Sequence, residues 1–569
     1  MKLVFRQYVA SLRERRELDV VLPDLLSELG YNVISRPSIG TRQFGVDVMA
    51  IRKENGEEKV FLFSIKQGDL NRQEWSVGEQ SLRPSLEEII DVYINTRIPP
   101  EYQYLKIVIC LCFGGEVLEA VRDNITQFIK RNETDKIEFQ IWNGDKLAGL
   151  LADGVLKEQL VSGKLRASFQ KSVAMIDEPD IAFIHFTSLI QGLTQNVPDT
   201  PKSRLSALRQ IYICLWVLFV WSRDAGNLEA PYRASELAVL YAWKLINSDI
   251  GSSLKVSEEI GSTFSELVDL HFQIWDEYLG LKVLPLVDDL HAVSASVNTR
   301  TSLDVNLKLF EILGRLSQRG LWMLWSKSGD EVSPTFCVIE GLDEAKTLAG
   351  QVHALITNNP CLLAPIADEQ SIDISLALLF LSMIEEFQSL AISYSTVLAN
   401  NYWYTYSRHL NYPSIHRDYR LLVNHPAEKS EAYRRKSTKA SVFVPLIGVW
   451  SAVKGETDVT REFADFVNDQ LKHCNLQFWF AGVDSEQHLY TSTVVHGWAL
   501  TDVPVSSDGR SVLELLEAEC ARSAAYESLS AIRLGHWPIV AMACRHHRLP
   551  LPPNMWLPIL REIKNKHLN

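Results

Sequence analysis

The sequence is short of the features from which function is most directly read. Its eight cysteines are scattered singly, apart from Cys110 and Cys112, which one residue separates on an expected buried strand. No Cys-x-x-Cys pair and no His/Cys cluster has zinc spacing, so neither a structural zinc nor a disulfide framework is expected, and the thiols read as free core groups in a reducing compartment. His536, His546 and His547 gather near Cys544 by composition alone; beside Arg545 at a helix end they read as surface or capping groups. There is no Walker phosphate loop, Rossmann glycine pattern or Ser/His/Asp elbow, and no repeat with a period of about 20 to 50 residues.

Apolar runs of membrane length are also missing. Met1-Lys2-Leu3-Val4-Phe5-Arg6 lacks the apolar core of a signal peptide. The run from Ile211 to Trp221 is too short to span a bilayer and is flanked by Arg209 and Arg223, so it reads as core or a subunit contact. No membrane partner is expected, and the chain is placed in the cytoplasm. Basic excess is lacking as well: the net charge is −13, which argues against a sequence-blind grip on nucleic acid and leaves room for a local site. One stretch, His416 to Lys439, carries Arg417, Arg420, Arg434, Arg435 and Lys436 among tyrosines. It could hold a phosphate backbone, although a charged surface loop is the commoner meaning of such a run.

What is present begins with size, since 569 residues exceed one ordinary core and call for about two to four domains. Residues 3 to 29 carry a helical stripe of Leu18, Val21, Leu22, Leu25, Leu26 and Leu29, interrupted by Pro23 and stopped by Gly30. A strand from Tyr31, a hairpin, a helix opened by Pro84, a buried strand Lys106–Phe113, an amphipathic helix 116–131, a strand Ile137–Trp142 and a short helix follow. That order predicts an α/β domain over residues 1–165, a mixed sheet with flanking helices. From about Ala167 long helical patterns dominate, including Leu205–Trp221, Leu303–Leu316, Ile374–Leu398 and Thr460–Cys474. Residues 166–455 are expected to form a helical domain for sensing, partner or substrate recognition, and 456–569 a helical domain with a hairpin from Leu476–Phe480 and Tyr490–Trp498.

The most informative stretch is the hairpin. Gly45-Val46-Asp47-Val48-Met49-Ala50-Ile51 and Val60-Phe61-Leu62-Phe63-Ser64-Ile65-Lys66-Gln67 alternate in polarity around Asn55-Gly56. A two-residue turn there sets Asp47 opposite Ser64, with Ser64 and Lys66 on one face. Phosphodiester hydrolysis at neutral pH commonly uses a divalent ion held by carboxylates and a cation near the attacking oxygen. Asp47 could hold the ion, the backbone carbonyl of Ile65 could add a second oxygen, and Lys66 could orient the nucleophile.

Leu18-Asp19, Leu25 to Tyr31, Gly45-Val46-Asp47, Ser64-Ile65-Lys66-Gln67, the strand Lys106–Phe113 and Phe139 to Leu147 together resemble the PD-(D/E)XK nuclease superfamily, its Mrr-like, restriction-endonuclease-like branch in particular. The resemblance covers about residues 10 to 160. It implies that Asp47 is a metal ligand, Lys66 the catalytic lysine, Asp19 the first-helix acid (with Glu17 and Asp24 as alternatives) and Gln67 the polar residue after the lysine. The ion implied is Mg²⁺ or Mn²⁺, and the partner nucleic acid, DNA before RNA. Paired cuts would favour a homodimer, an operon-encoded partner protein is the other expected partner, and analogy at the level of fold extends to conditional cutting in bacterial antiviral defence. Ser64 departs from the pattern, which has Glu, Asp or Gln there. Either Asp19 completes the site, an acid such as Asp69, Glu79 or Glu87 has moved in, or the domain is an inactive scaffold that binds nucleic acid or a partner.

Overall fold

The computed structural model describes residues 5–6, 9–10, 12, 14, 18–35, 44–54, 56–77, 81–151, 163–251, 254–297, 299, 301–327, 343–491 and 494–568. They form two compact units, one of Met1–Ala238 with Ser253–Leu270, the other of Val239–Ser252 with His271–Asn569. The boundary expected near residue 165 falls inside the first unit.

In the first unit, helix α1 (Asp19–Glu28) contains Pro23. Five strands follow: β1 (Asn32–Ser35), β2 (Val48–Glu54), β3 (Glu57–Lys66), β4 (Lys106–Phe113) and β5 (Ile137–Trp142), lying in that spatial order. The first three are antiparallel neighbours, whereas β3, β4 and β5 run parallel. Parallel neighbours need crossovers. The first carries helices α2 (Arg72–Ser76) and α3 (Leu82–Glu88), and the second carries α4 (Glu119–Asn132). Helix α5 (Gly144–Leu150) follows β5, its first turn capped by the Asn143 side chain.

As the middle strand, β3 is buried continuously from Lys59 to Lys66, which is why Val60 to Phe63 is apolar on both faces. On one face Met49, Ile51, Val60, Leu62, Ile109 and Leu111 meet Trp75, Leu82, Leu86 and Phe128 of the crossover helices. On the other, Phe61 packs edge-on to Tyr31 at 5.0 Å and Phe63 to Trp142 at 4.9 Å. Such aromatic pairs contribute about 0.5–1.5 kcal/mol each beyond their area. Cys110 and Cys112 are wholly buried and free, as expected of core thiols.

The hairpin pairs from Glu54↔Glu57 to Val48↔Phe63, which leaves residues 55 and 56 as its turn. Asn55 lies outside the described residues; Gly56 has φ of 89°, the left-handed value such a turn demands. The ladder stops one step before the expected Asp47–Ser64 pair. Asp47 gives its N–H to the Phe63 carbonyl (2.8 Å) and takes the Ile65 N–H on its own carboxylate, so its side chain replaces the next backbone bond.

The remainder is mostly helical. In the first unit, helices Gly163–Ala174 and Pro179–Thr194 pack together and against Pro201–Asp224. Among the described residues Pro201–Asp224 is the one helix long and apolar enough to cross a membrane, and 89% of its apolar window is buried inside the protein. In the second unit, Ser371–Ser382 is buried on every side and packs on Ser302–Lys327. The helix expected over Ile374–Leu398 is two, Ser371–Ser382 and Gln388–Ser407, separated by a turn at Glu385–Phe387 that places two acids at the surface. The strand expected over Tyr490–Trp498 shrinks to β9 (Trp498–Leu500), paired with β8 (Phe478–Phe480), because Tyr490 and Thr491 lie in a turn. A second short pair joins β6 (Ala440–Ser441) in parallel to β7 (Asn475–Leu476).

Candidate functional site

Asp47 is set by its neighbours on both sides. Two residues before it, Gly45 has φ of 78°, and a Cβ there would stand 2.1 Å from the Ser85 carbonyl oxygen of α3. Only glycine permits that approach. Beyond the ladder, Asp47 Oδ2 accepts the Ile65 N–H at 2.7 Å. The N–H and C=O of a strand residue project to the same edge, so the Ile65 carbonyl is turned to the edge that β2 vacates beside Asp47.

One residue along, Lys66 is 6% exposed, and its Nζ lies 3.2 Å from Glu14 Oε1. The carboxyl of Asp47 is raised from 3.8 to about 6, chiefly by burial. The Ile65 N–H and the charge of Lys66 oppose that rise, while the charges of Glu14 and Asp19 add to it. Asp47, Glu14 and Lys66 therefore bring two carboxylates and one ammonium to the place where β2 begins beside the end of β3, and the charge of Asp19 acts on Asp47. Their donors are hard oxygens, the type that Mg²⁺ and Mn²⁺ prefer; Mg²⁺ is commonly held by only one or two carboxylates and retains several waters. Among the described residues no group of three His, Cys, Asp or Glu side chains is arranged to hold a metal ion, so the donor set fits the sparse kind of site alone.

The other residues singled out from sequence are placed as follows. Asp19 is the first residue of α1 and acts on Asp47 through its charge. Asp24 is fully buried further along α1. Ser64 is 1% exposed on β3, and Gln67 is exposed just past its end. Asp69 is committed elsewhere: its Oδ1 accepts the Glu116 N–H at 2.8 Å, tying the loops after β3 and β4. Glu87 pairs with Arg83 on the surface of α3. Glu17 and Glu79 lie outside the described residues.

Glu14 was not among the sequence candidates. A signal for it exists: four residues before Leu18, it falls on the inward stripe of the first helical pattern, where a charge is out of place.

In the second unit, the basic stretch is largely tied down. Arg417 pairs with Glu369 at 3.3 Å and Arg435 with Glu431 at 3.2 Å. Arg434 also bonds Glu431, and its guanidinium lies 4.6 Å from the Tyr406 ring centre. Arg420 and Lys436 are exposed. His536 packs between Trp243 and Trp325, with ring centres at 4.9 and 5.2 Å, and Cys544 is buried. This histidine belongs to the core.

Comparison of the chain with family models, curated proteins and solved structures gives no match.

Proposed function

We propose that the first unit is a restriction-endonuclease-like domain that hydrolyses phosphodiester bonds in DNA with a divalent metal ion. The observation that carries this reading is the Lys66–Glu14 ion pair beside Asp47 at the open end of the hairpin, with Asp47 held by the Ile65 N–H and acted on by the charge of Asp19. Asp47, Asp19 and the Ile65 carbonyl are the groups suited to hold Mg²⁺ or Mn²⁺. Such an ion, when bound, neutralises phosphate charge and acidifies a water molecule.

The chain's own groups supply the rest. Lys66, kept nearly free of solvent, offers its ammonium to a phosphate oxygen or the attacking water, where low dielectric strengthens its pull. Glu14 fixes where that ammonium stands. Hydrolysis adds the water oxygen to phosphorus, breaks one P–O ester bond and leaves the released oxygen protonated. Acidity over the remainder of the chain disfavours indiscriminate binding of nucleic acid, which suits conditional cutting in the cytoplasm, as in antiviral defence, by a dimer or with a partner protein.

Incubating the full chain with DNA and with RNA, in Mg²⁺ or Mn²⁺ and again with chelator, tests the reading. Chelator-sensitive loss of DNA supports it. Degradation of RNA alone shifts the substrate, and intact nucleic acid under every condition rejects the enzyme.

A second reading, an inactive scaffold that binds nucleic acid or a partner, draws on two observations. A buried serine occupies the position of the usual second acid, and Lys66 is already engaged by Glu14. Calorimetric titration with Mn²⁺ separates the two, since a scaffold shows no binding that depends on Asp47.

A further inference from the structure

The second unit contains a cleft of about 400 Å³, within the range of about 300–1,000 Å³ that small-molecule sites occupy. Ala440, Val442 and Gln477 line it. It opens beside the short parallel pair β6 and β7.

The charges around the cleft are unequal. Arg417, Lys439 and Arg548 line it against Asp368 and Glu369. Asp368 is spent inside the protein: its carboxylate accepts the N–H groups of Val442 (3.0 Å) and Phe443 (3.3 Å) and the Ser441 hydroxyl. Arg548 is fixed by Asp373, 2.8 Å away and fully buried, and by the Glu369 carbonyl at 3.2 Å. Arg417 makes one contact with Glu369 while its side chain remains 66% exposed. The Lys439 side chain is exposed and has no ion-pair partner among the described residues. One wall is apolar and flat: half-buried Trp479 has its indole N–H fixed on the His496 carbonyl at 2.9 Å, beside Phe478 and Val442.

We propose that this cleft binds a nucleoside phosphate, with Lys439 and Arg417 on the phosphate, Arg548 as a fixed cation behind them and Trp479 against the base. Two exposed cations near a half-buried third suit a small polyvalent anion. An aromatic wall suits a planar ring, and inorganic phosphate alone would leave most of the volume empty. The inference is independent of any nuclease activity in the first unit.

Isothermal titration of the full chain with AMP, ATP and inorganic phosphate tests it, alongside Lys439→Glu, Arg417→Ala and Trp479→Leu. Thermal melts of each variant check that it folds. The expected result is saturable binding of at least one nucleotide, tighter than phosphate. Lys439→Glu and Arg417→Ala should each weaken it by about ten-fold or more, the loss of one charge-assisted hydrogen bond, and Trp479→Leu should weaken nucleotide but not phosphate. The proposal is overturned if no nucleotide binds at about 1 mM, if phosphate binds as tightly as the nucleotides, or if folded Lys439→Glu binds like the parent.

Discussion

Glu14 and Lys66, 52 residues apart in sequence, meet at 3.2 Å beside Asp47. Lys66 is almost buried, so its ammonium depends on that carboxylate and on Asp47 for compensation. Glu14→Ala is expected to lower stability by about 1–3 kcal/mol, the cost of leaving a buried charged donor without its partner. Glu14→Gln keeps an acceptor and should lose less. Urea denaturation of both variants, followed by a probe in the first unit, measures the difference. A Glu14→Ala protein as stable as the parent would show the contact to be incidental.

Asp47 gives stability a pH signature. Burial lifts its carboxyl from 3.8 to about 6, so the folded protein holds this proton more tightly than the unfolded chain. Its contribution is therefore fully present below about pH 4 and is lost as pH rises through about 6. Asp47→Asn, neutral throughout, should match the parent near pH 4 and gain on it by up to about 2–3 kcal/mol by pH 7. Equal pH dependence of the two melting curves would contradict the shift. If an ionised Asp47 is needed for activity, cleavage should also climb through about pH 6.

Gly45→Ala tests how Asp47 is placed. The added methyl would meet the Ser85 carbonyl oxygen, and φ is already 78°. A cost of about 2 kcal/mol or more is expected from strain and displacement together, measured by denaturation. The same change should disturb the site far more than its size suggests, because Asp47 is two residues away.

Ser64→Glu asks whether the missing acid can be restored. Position 64 is 1% exposed, so a glutamate there should destabilise the metal-free protein by about 1–3 kcal/mol. Mg²⁺ or Mn²⁺ should recover more thermal stability in this variant than in the parent. A loss that no divalent ion offsets would place residue 64 outside the ion's reach.

The hairpin was legible because its signal is local. The Asn55-Gly56 turn fixes which residues pair, and the ladder from Glu54↔Glu57 to Val48↔Phe63 follows that register. The last step was not legible, because a carboxylate there takes over a backbone bond, which no periodicity announces. Glu14 is not legible for a related reason, since its value comes from a residue 52 positions away. In the second unit, Ser371–Ser382 is buried all round, so the apolar run that marks a helix carries no amphipathic phase to say where it ends or what it faces. The break at Glu385–Phe387 was lost in that uniformity. The cleft walls come from segments as far apart as Glu369 and Arg548, a juxtaposition that only the folded chain displays.

The most direct test of the central claim is single-turnover cleavage of DNA by the full chain with Mg²⁺ or Mn²⁺, comparing the parent with Asp47→Asn and Lys66→Ala. Asp47→Asn retains an oxygen to accept the Ile65 N–H, so it should stay folded while losing the charge that holds the ion. The expected result is cleavage by the parent and a loss of about 100-fold or more in each variant. Variants that cut as fast as the parent would contradict the assignment of this corner as the active site.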